Sequence, residues 1–287
     1  MLELHCHTTF SDGTLTPTEL VAEAVQRGVR VLAITDHDTC GGWQEAIAAA
    51  DTYRPDYDLT IVPGIELSTM HLGRSLHILG FYPDPKTLDG PLLERAAGRW
   101  RRAQKMVKIL ESLGYPIEMP KLPSGAVPGR PHIAQALVNG GHVESVNDAF
   151  RSLLGDGKAA YVPYEPFSAE EGIQMLRQCG AVPVWAHAFL FKGDKVGNVL
   201  KALVPAGLMG LEVHHPGHSV SDQRQLQEWC DQYDLLATGG SDYHGPGNKH
   251  RAGDRTGLNR FELPIELLLP IQKAAAQLKK QPEFASP

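Results

Sequence analysis

Seven short apolar segments, each closing on an imidazole or carboxylate side chain, set the strongest constraint on what this chain can fold into. In the first, Leu2, Leu4 and Cys6 alternate with Glu3, His5 and His7. Side chains on a strand switch faces at every residue, so both histidines project to one side and Cys6 to the other. Val29 to Thr35 is a continuous apolar run, the pattern of a parallel strand buried on both faces, and it stops at Asp36-His37-Asp38. Leu59 to Ser68 carries Glu66 near its far end, and Leu76 to Tyr82 contains His77. Ala181 to His187 and Leu208 to His214 both end in histidine, and Leu235 to His244 ends in Ser241-Asp242-Tyr243-His244.

Helical segments separate most of these runs. Thr16 to Glu19 reads as a capping box with Pro17 at the first helical position, opening a helix that stops at Gly28. A second helix is expected from about Gly42 to Tyr53, another behind the Ser168 and Glu171 capping box, and a last amphipathic one over Pro264 to Leu278. Parallel strands wound with helices close into a barrel, and their C-terminal edges open onto one face. The expected fold class is therefore α/β, a (β/α)7 barrel, with residues 1–82 and 167–287 forming the barrel. Residues 83–166 break the rhythm and read as a helical insert, a lid, with helices over Leu92 to Leu113, Pro131 to Asn139 and Glu144 to Leu154. The insert follows the His77 strand directly, so both of its ends are expected at the functional rim. Within it, Arg95, Arg99, Arg101, Arg102, Lys105 and Lys108 read as a solvated helix face.

The chain of 287 residues is long enough to bury such a barrel as one unit. Without a run of 18 apolar residues, and with an N-terminus that enters a strand directly, it reads as cytoplasmic, with no membrane partner. Its four cysteines are far apart and read as reduced thiols. A net charge of −6 argues against an extended footprint for long nucleic acid, so no stable nucleic-acid complex is expected.

Thirteen histidines stand out, because neutral imidazole is the commonest metal ligand. His5, His7, His37, His77, His187 and His244, with Asp12, Glu66 and Asp242, all fall at strand ends or on the turn after the first strand. Six imidazoles and three carboxylates without thiolate suit Mn²⁺, Fe²⁺ or Zn²⁺ better than Mg²⁺ or Ca²⁺. Nine ligands exceed what one ion can use, so two or three ions are implied. His71, His142 and His250 read as surface or loop residues.

The His5-x-His7 pair, Asp12, the Thr35-Asp36-His37-Asp38 block, Glu66, His77, His187 and Ser241-Asp242-x-His244 resemble, in order and over nearly the whole chain, the motifs of the PHP (polymerase and histidinol phosphatase) family of metal-dependent phosphoesterases. One departure is Ala188, where that family has proline. The resemblance implies a distorted seven-stranded barrel with a trinuclear site, manganese being the expected metal. It implies one ion on His5, His7, Glu66 and Asp242, a second on Glu66, His77 and His187, and a third on Asp12, His37 and His244. Glu66 would bridge two ions, and Glu66, Asp242 and His187 are the expected catalytic subset.

Three divalent ions against three carboxylates leave roughly +3 in one cleft, which attracts a phosphate dianion. The expected reaction is in-line attack of a metal-bridging hydroxide on a phosphate monoester of a small nucleotide such as a 3′,5′-bisphosphate. A 5′-to-3′ exoribonuclease acting on short RNA, or a phosphatase of a sugar phosphate or histidinol phosphate, stays open. Arg130, in Gly129-Arg130-Pro131-His132, is a candidate phosphate clamp, with Lys158 and His218 as further substrate-binding candidates. An amidohydrolase is disfavoured because many such sites use a bridging lysine where this chain offers His77. A non-catalytic metal-binding module is disfavoured because none of the nine ligands is missing.

Overall fold

The computed structural model describes residues 1–246 and 257–280; His250 lies outside them. Seven strands form one sheet in sequence order: β1 (Leu2–Glu3), β2 (Val31–Ile34), β3 (Thr60–His71), β4 (Arg74–Phe81), β5 (Val182–Trp185), β6 (Gly210–His214) and β7 (Leu236–Gly239). Beyond β1 the chain stays extended and pairs with the segment after β7, through His7 N–H to Tyr243 O at 2.8 Å and Tyr243 N–H to His5 O at 3.2 Å. The sheet is thereby a nearly closed barrel.

Helices α1 (Pro17–Gln26) and α2 (Trp43–Asp51) follow β1 and β2. The Thr16 capping box forms, and the buried face of α1, Leu20, Val21 and Ala24, joins the main apolar core with Leu32 and Ile34. After β5, the chain adds α7 (Val196–Leu203), α8 (Val220–Tyr233) and α9 (Leu268–Leu278). Ile271, Ala275 and Leu278 of α9 pack against Leu2, Val31, Leu79, Phe81 and Val184 in a second apolar cluster.

The barrel departs from the all-parallel expectation at β4, which runs antiparallel to both β3 and β5. Only Leu72 and Gly73 separate β3 from β4, too few for the crossover helix that parallel pairing demands. Both take positive φ, 49° and 74°, the backbone of a type I′ hairpin turn. His71 is consequently the last residue of β3 rather than a loop residue.

Reversal of β4 moves the root of the insert. Phe81, the last residue of β4, pairs with Gly64 and Val182, at the edge opposite the one where β2 and β5 end. The chain therefore leaves the barrel at the lower edge and not at the rim. Helix α3 (Pro85–Ser112) starts there, with Asp84 N–H bonded to Cys179 O at 2.7 Å, and climbs for about 42 Å at 1.5 Å per residue. Its first turns place Leu88 and Leu92 in the barrel core, and its last turns place Ala103, Met106 and Leu110 in a separate core. That second core is completed by α4 (Arg130–Asn139), α5 (Val146–Ala149) and a π-helical turn over Phe150–Leu154. The return is at the upper edge, where Ser168 bridges Met70 before α6 (Ala169–Gln178) runs back down.

The basic run on α3 is a solvated face only in part, with Arg101, Lys105 and Lys108 exposed. Arg99 and Arg102 are buried, and Arg101 is paired with Glu94 and Glu165. Arg99 donates from Nε to Asp38 Oδ2 and from Nη2 to Ser68 Oγ, both at 2.5 Å, which ties the middle of α3 to the loop after β2 and to β3. Arg102 donates to Val162 O at 2.8 Å and stacks on Tyr164.

Candidate metal centre

Glu66 is the hub of the upper rim. Fully buried on β3, it faces one oxygen, Oε2, toward His37 Nδ1, His7 Nε2 and His5 Nε2 at 3.1, 3.2 and 3.3 Å. The other, Oε1, lies 2.8 Å from His77 Nδ1 and 2.9 Å from His187 Nε2. Asp242 Oδ1 approaches His7 Nε2 at 3.1 Å and His5 Nε2 at 3.4 Å, and Asp12 Oδ1 approaches His244 Nε2 at 3.2 Å. All nine sequence candidates thus stand at one rim. His77 reaches it because β4 begins there and descends, opposite Ser68 in register.

Local chemistry fixes several of these side chains. Asp36, buried after β2, accepts from Thr8 N–H at 2.7 Å, Thr8 Oγ1 at 2.6 Å and Ser11 Oγ at 2.5 Å, and Ser11 Oγ in turn lies 3.3 Å from His7 Nδ1. The turn that carries Asp12 is thereby locked to the strand end that carries His7.

The electrostatics are those of buried acids and bases crowded at one rim. Burial opposes charging of His5, yet Glu212, Glu66 and Asp242 overcome it and hold its pKa well above the usual value. His7, likewise opposed by burial, is raised to about 9 by Asp242 and Glu66. Glu66 and Asp12 are held well below the ordinary carboxylate range against burial, by their imidazole neighbours. His37 is pushed well below its ordinary value by burial, with the Arg99 guanidinium adding to it. Nε2 of His5, His7 and His244, Nδ1 of His37, Oδ1 of Asp12 and Oε2 of Glu66 are buried without a hydrogen bond. Buried polar atoms are ordinarily satisfied, so a convergent set of unsatisfied nitrogen and oxygen donors fits divalent cations.

Among the described residues, three subsets have donor atoms within 4.8 Å of one another: His5, His7, Glu66 and Asp242; His7, Asp12, His37 and His244; and His37, Glu66 and His77. His187 stands outside the third subset but reaches the same Glu66 oxygen as His77. These groups could hold two or three ions sharing Glu66, His7 and His37.

A cavity of about 610 Å³ opens above the rim and is roofed by the insert. Arg130, at the start of α4, lines it and is steadied by Asp156 at 2.8 Å and Leu154 O at 3.3 Å. Lys158 and His218 do not line it. Lys158 is exposed, and His218 is buried with Nδ1 on Val213 O at 3.0 Å and Nε2 accepting from Phe189 N–H at 3.4 Å. His215 takes the place expected of His218. It lines the cavity, accepts from Gly217 N–H at 3.0 Å, and sets Nε2 3.5 Å from Asp242 Oδ2. The sequence signal was the His214-His215 pair itself, since neighbouring strand residues face opposite ways and only one of them can enter the site. Arg99 was missed for a related reason: within a basic helix nothing marks which arginine faces inward.

A nearly closed barrel whose rim gathers six imidazoles and three carboxylates without a thiolate defines a metal-dependent hydrolase. The PHP domain pattern matches residues 3–118. A 5′-3′ exoribonuclease of Haemophilus influenzae is 34% identical over 270 residues, covering 92% of this chain and 97% of the relative. A 3′,5′-nucleoside bisphosphate phosphatase of Chromobacterium violaceum is 33% identical over 260 residues, 87% of this chain and 89% of the relative. A crystal structure from Bifidobacterium adolescentis, provisionally described as a metal-dependent phosphoesterase, superimposes with a TM-score of 0.84 at 34% identity over 95% of this chain and 96% of that one. The chain belongs to the PHP family of metal-dependent phosphoesterases.

Proposed function

We propose that this enzyme removes a phosphate monoester from a small nucleotide, of the 3′,5′-bisphosphate type, at a centre of two or three Mn²⁺ ions. The observation that carries the reading is the roofed cavity, whose lining brings Arg130 together with His37, His77, His187 and Asp242 around a space suited to one nucleotide. Its wall includes Trp185, Leu190, Phe191 and Phe150, apolar surface for a base, while the rim supplies the charge for a phosphate. The bisphosphate phosphatase of Chromobacterium violaceum supports the same substrate class. The free cysteines and the absence, among the described residues, of a helix long and apolar enough to cross a membrane are consistent with a cytoplasmic enzyme.

In this reading His5, His7, Glu66 and Asp242 hold one ion, Glu66, His77 and His187 a second, and Asp12, His37 and His244 a third. Bound there, divalent ions supply Lewis-acid charge for the phosphoryl oxygens and an activated water. Arg130 grips a phosphate bidentately, held in place by Asp156 and by the Leu154 carbonyl that the π-helical turn presents. His215, with Nδ1 occupied by the Gly217 amide, carries its proton on Nε2 and presents it beside Asp242 toward the cavity.

The exoribonuclease of Haemophilus influenzae supports a second reading, with the 5′ end of a short RNA in the same cavity. Burial of Arg99 and Arg102 and pairing of Arg101 withdraw three of the six basic residues of that helix from a strand, while Lys105 and Lys108 stay exposed. A competition between adenosine 3′,5′-bisphosphate and 5′-phosphorylated RNA oligomers decides. We expect higher kcat/KM for the bisphosphate, and processive RNA degradation with the higher kcat/KM would overturn the proposal.

A further inference from the structure

Glu212 belongs to no candidate ligand set, yet it is fully buried on β6 beneath the rim. Its two oxygens go to two different ligands. Oε1 lies 2.9 Å from His5 Nδ1, and Oε2 accepts from the His187 backbone N–H at 2.8 Å. His5 comes from the segment after β1, whereas His187 follows β5, so one carboxylate joins a side chain and a backbone amide from separate strands of the barrel. His187 has φ 34° and ψ 51°, in the left-handed region that non-glycine residues enter at a cost. The Glu212 bond captures the amide at that strained position.

We propose that Glu212 is a positioning residue that sets both the tautomer of His5 and the backbone of His187, so that two ligands on opposite sides of Glu66 are aligned by one carboxylate. The inference rests on the cluster being a metal centre. A carboxylate on His5 Nδ1 keeps the proton there and leaves the Nε2 lone pair toward Glu66 Oε2 and Asp242 Oδ1, 3.3 and 3.4 Å away. The requirement is specific to glutamate. Glutamine accepts through one oxygen only, so with the His187 amide satisfied its NH₂ would donate to His5 Nδ1 and drive the proton to Nε2, where it blocks ligation. Aspartate keeps the charge but, one methylene shorter, cannot span both partners.

The test uses the full chain with Mn²⁺ and Zn²⁺ alone, without substrate. Calorimetric titration with Mn²⁺ should show Glu212→Gln weakened by about 10- to 100-fold, the usual cost of losing such an orienting partner, with Glu212→Asp in between. In the Zn²⁺-loaded wild type, ¹⁵N-histidine NMR should show a hydrogen-bonded Nδ1–H on His5, and Glu212→Gln should lose that signal. Folded Glu212→Gln with wild-type stoichiometry and affinity within twofold overturns the inference alone. Wild type that binds no Mn²⁺ overturns the metal-centre reading with it. Should both variants fail to fold, the wild-type spectrum still decides, because a His5 without Nδ1–H refutes the assigned tautomer.

Discussion

Replacing Glu66 by glutamine is the most informative single perturbation. Five imidazole nitrogens lie within 3.3 Å of its two oxygens. In the Mn²⁺-loaded enzyme those imidazoles are neutral ligands, so the charge Glu66 would offset is the cation's, and one unit charge pair at about 3 Å and an effective dielectric near 20 is worth roughly 5 kcal/mol. Glutamine removes the charge and converts one face of the hub from acceptor to donor, so either the His5, His7 and His37 side or the His77 and His187 side meets an NH₂ group. Even if relaxation recovers part of the loss, about 4 kcal/mol in barrier is expected, a fall in kcat of roughly 10³-fold. The assay is phosphate release from adenosine 3′,5′-bisphosphate by Mn²⁺-loaded enzyme, with metal content measured in parallel. Arg130→Ala is the contrast, because a substrate contact equal in ground and transition states appears chiefly in KM. If Glu66→Gln kept kcat within about tenfold, roughly 1.4 kcal/mol, the bridging role would be untenable.

Chelation should abolish turnover and lower the melting temperature, since binding to the native state alone stabilises it; full activity in a verified metal-free preparation would contradict this. Because His7 is raised to about 9 and His5 is raised too, each must release a proton to bind a cation, so Mn²⁺ affinity should climb as pH rises toward about 9. Calorimetry in buffers of different ionisation enthalpy should register that proton release. In the metal-free protein the stabilisation from protonated His7 is complete below its ordinary pKa and is lost as pH rises through about 9, so the metal-free melting temperature should fall there. Arg99→Met strands Asp38 without its buried partner and should cost about 3–5 kcal/mol in urea unfolding; unchanged stability would show that the pair contributes nothing. Leu72→Asn gives the hairpin a residue suited to its positive φ and should stabilise by roughly 0.5–1 kcal/mol, with a loss of stability speaking against the turn.

Most of the rim was legible because the signal is periodic and local. Parity alone sends His5 and His7 to one side and Cys6 into the apolar core, which is where the structure holds them. The direction of β4 was not legible. His71-Leu72-Gly73-Arg74 lacks the Asn-Gly or Asp-Gly signature of a tight hairpin, and Leu72 occupies a left-handed position that its side chain disfavours. Helix α3 reads from Leu92 in the sequence because its apolar helical spacing starts there. Pro91 falls within its second turn, and the Asp84 cap and Pro85 start the helix earlier. Long-range pairings were also hidden: Glu212 meets His5 across 207 positions, and Arg99 meets Asp38 across 61, with no local pattern to announce either.

The descending β4 strand has a mechanical consequence. Because α3 is rooted among barrel side chains at its foot, pinned by Arg99 at mid-height and embedded in the insert's own core at its top, the insert is a mast-borne awning and not a door on a hinge. Swinging it aside would mean pulling Leu88 and Leu92 from the barrel or rupturing the Arg99 to Asp38 pair. Passage to the rim is then a matter of fixed aperture, in a cavity whose wall includes the short segments Leu190 to Lys192 and Pro216 to Gly217. Turnover in such an arrangement is governed by what can slide in beneath a standing roof, so lengthening or trimming those wall segments should redraw the range of accepted phosphoesters while leaving the chemistry at Glu66 untouched.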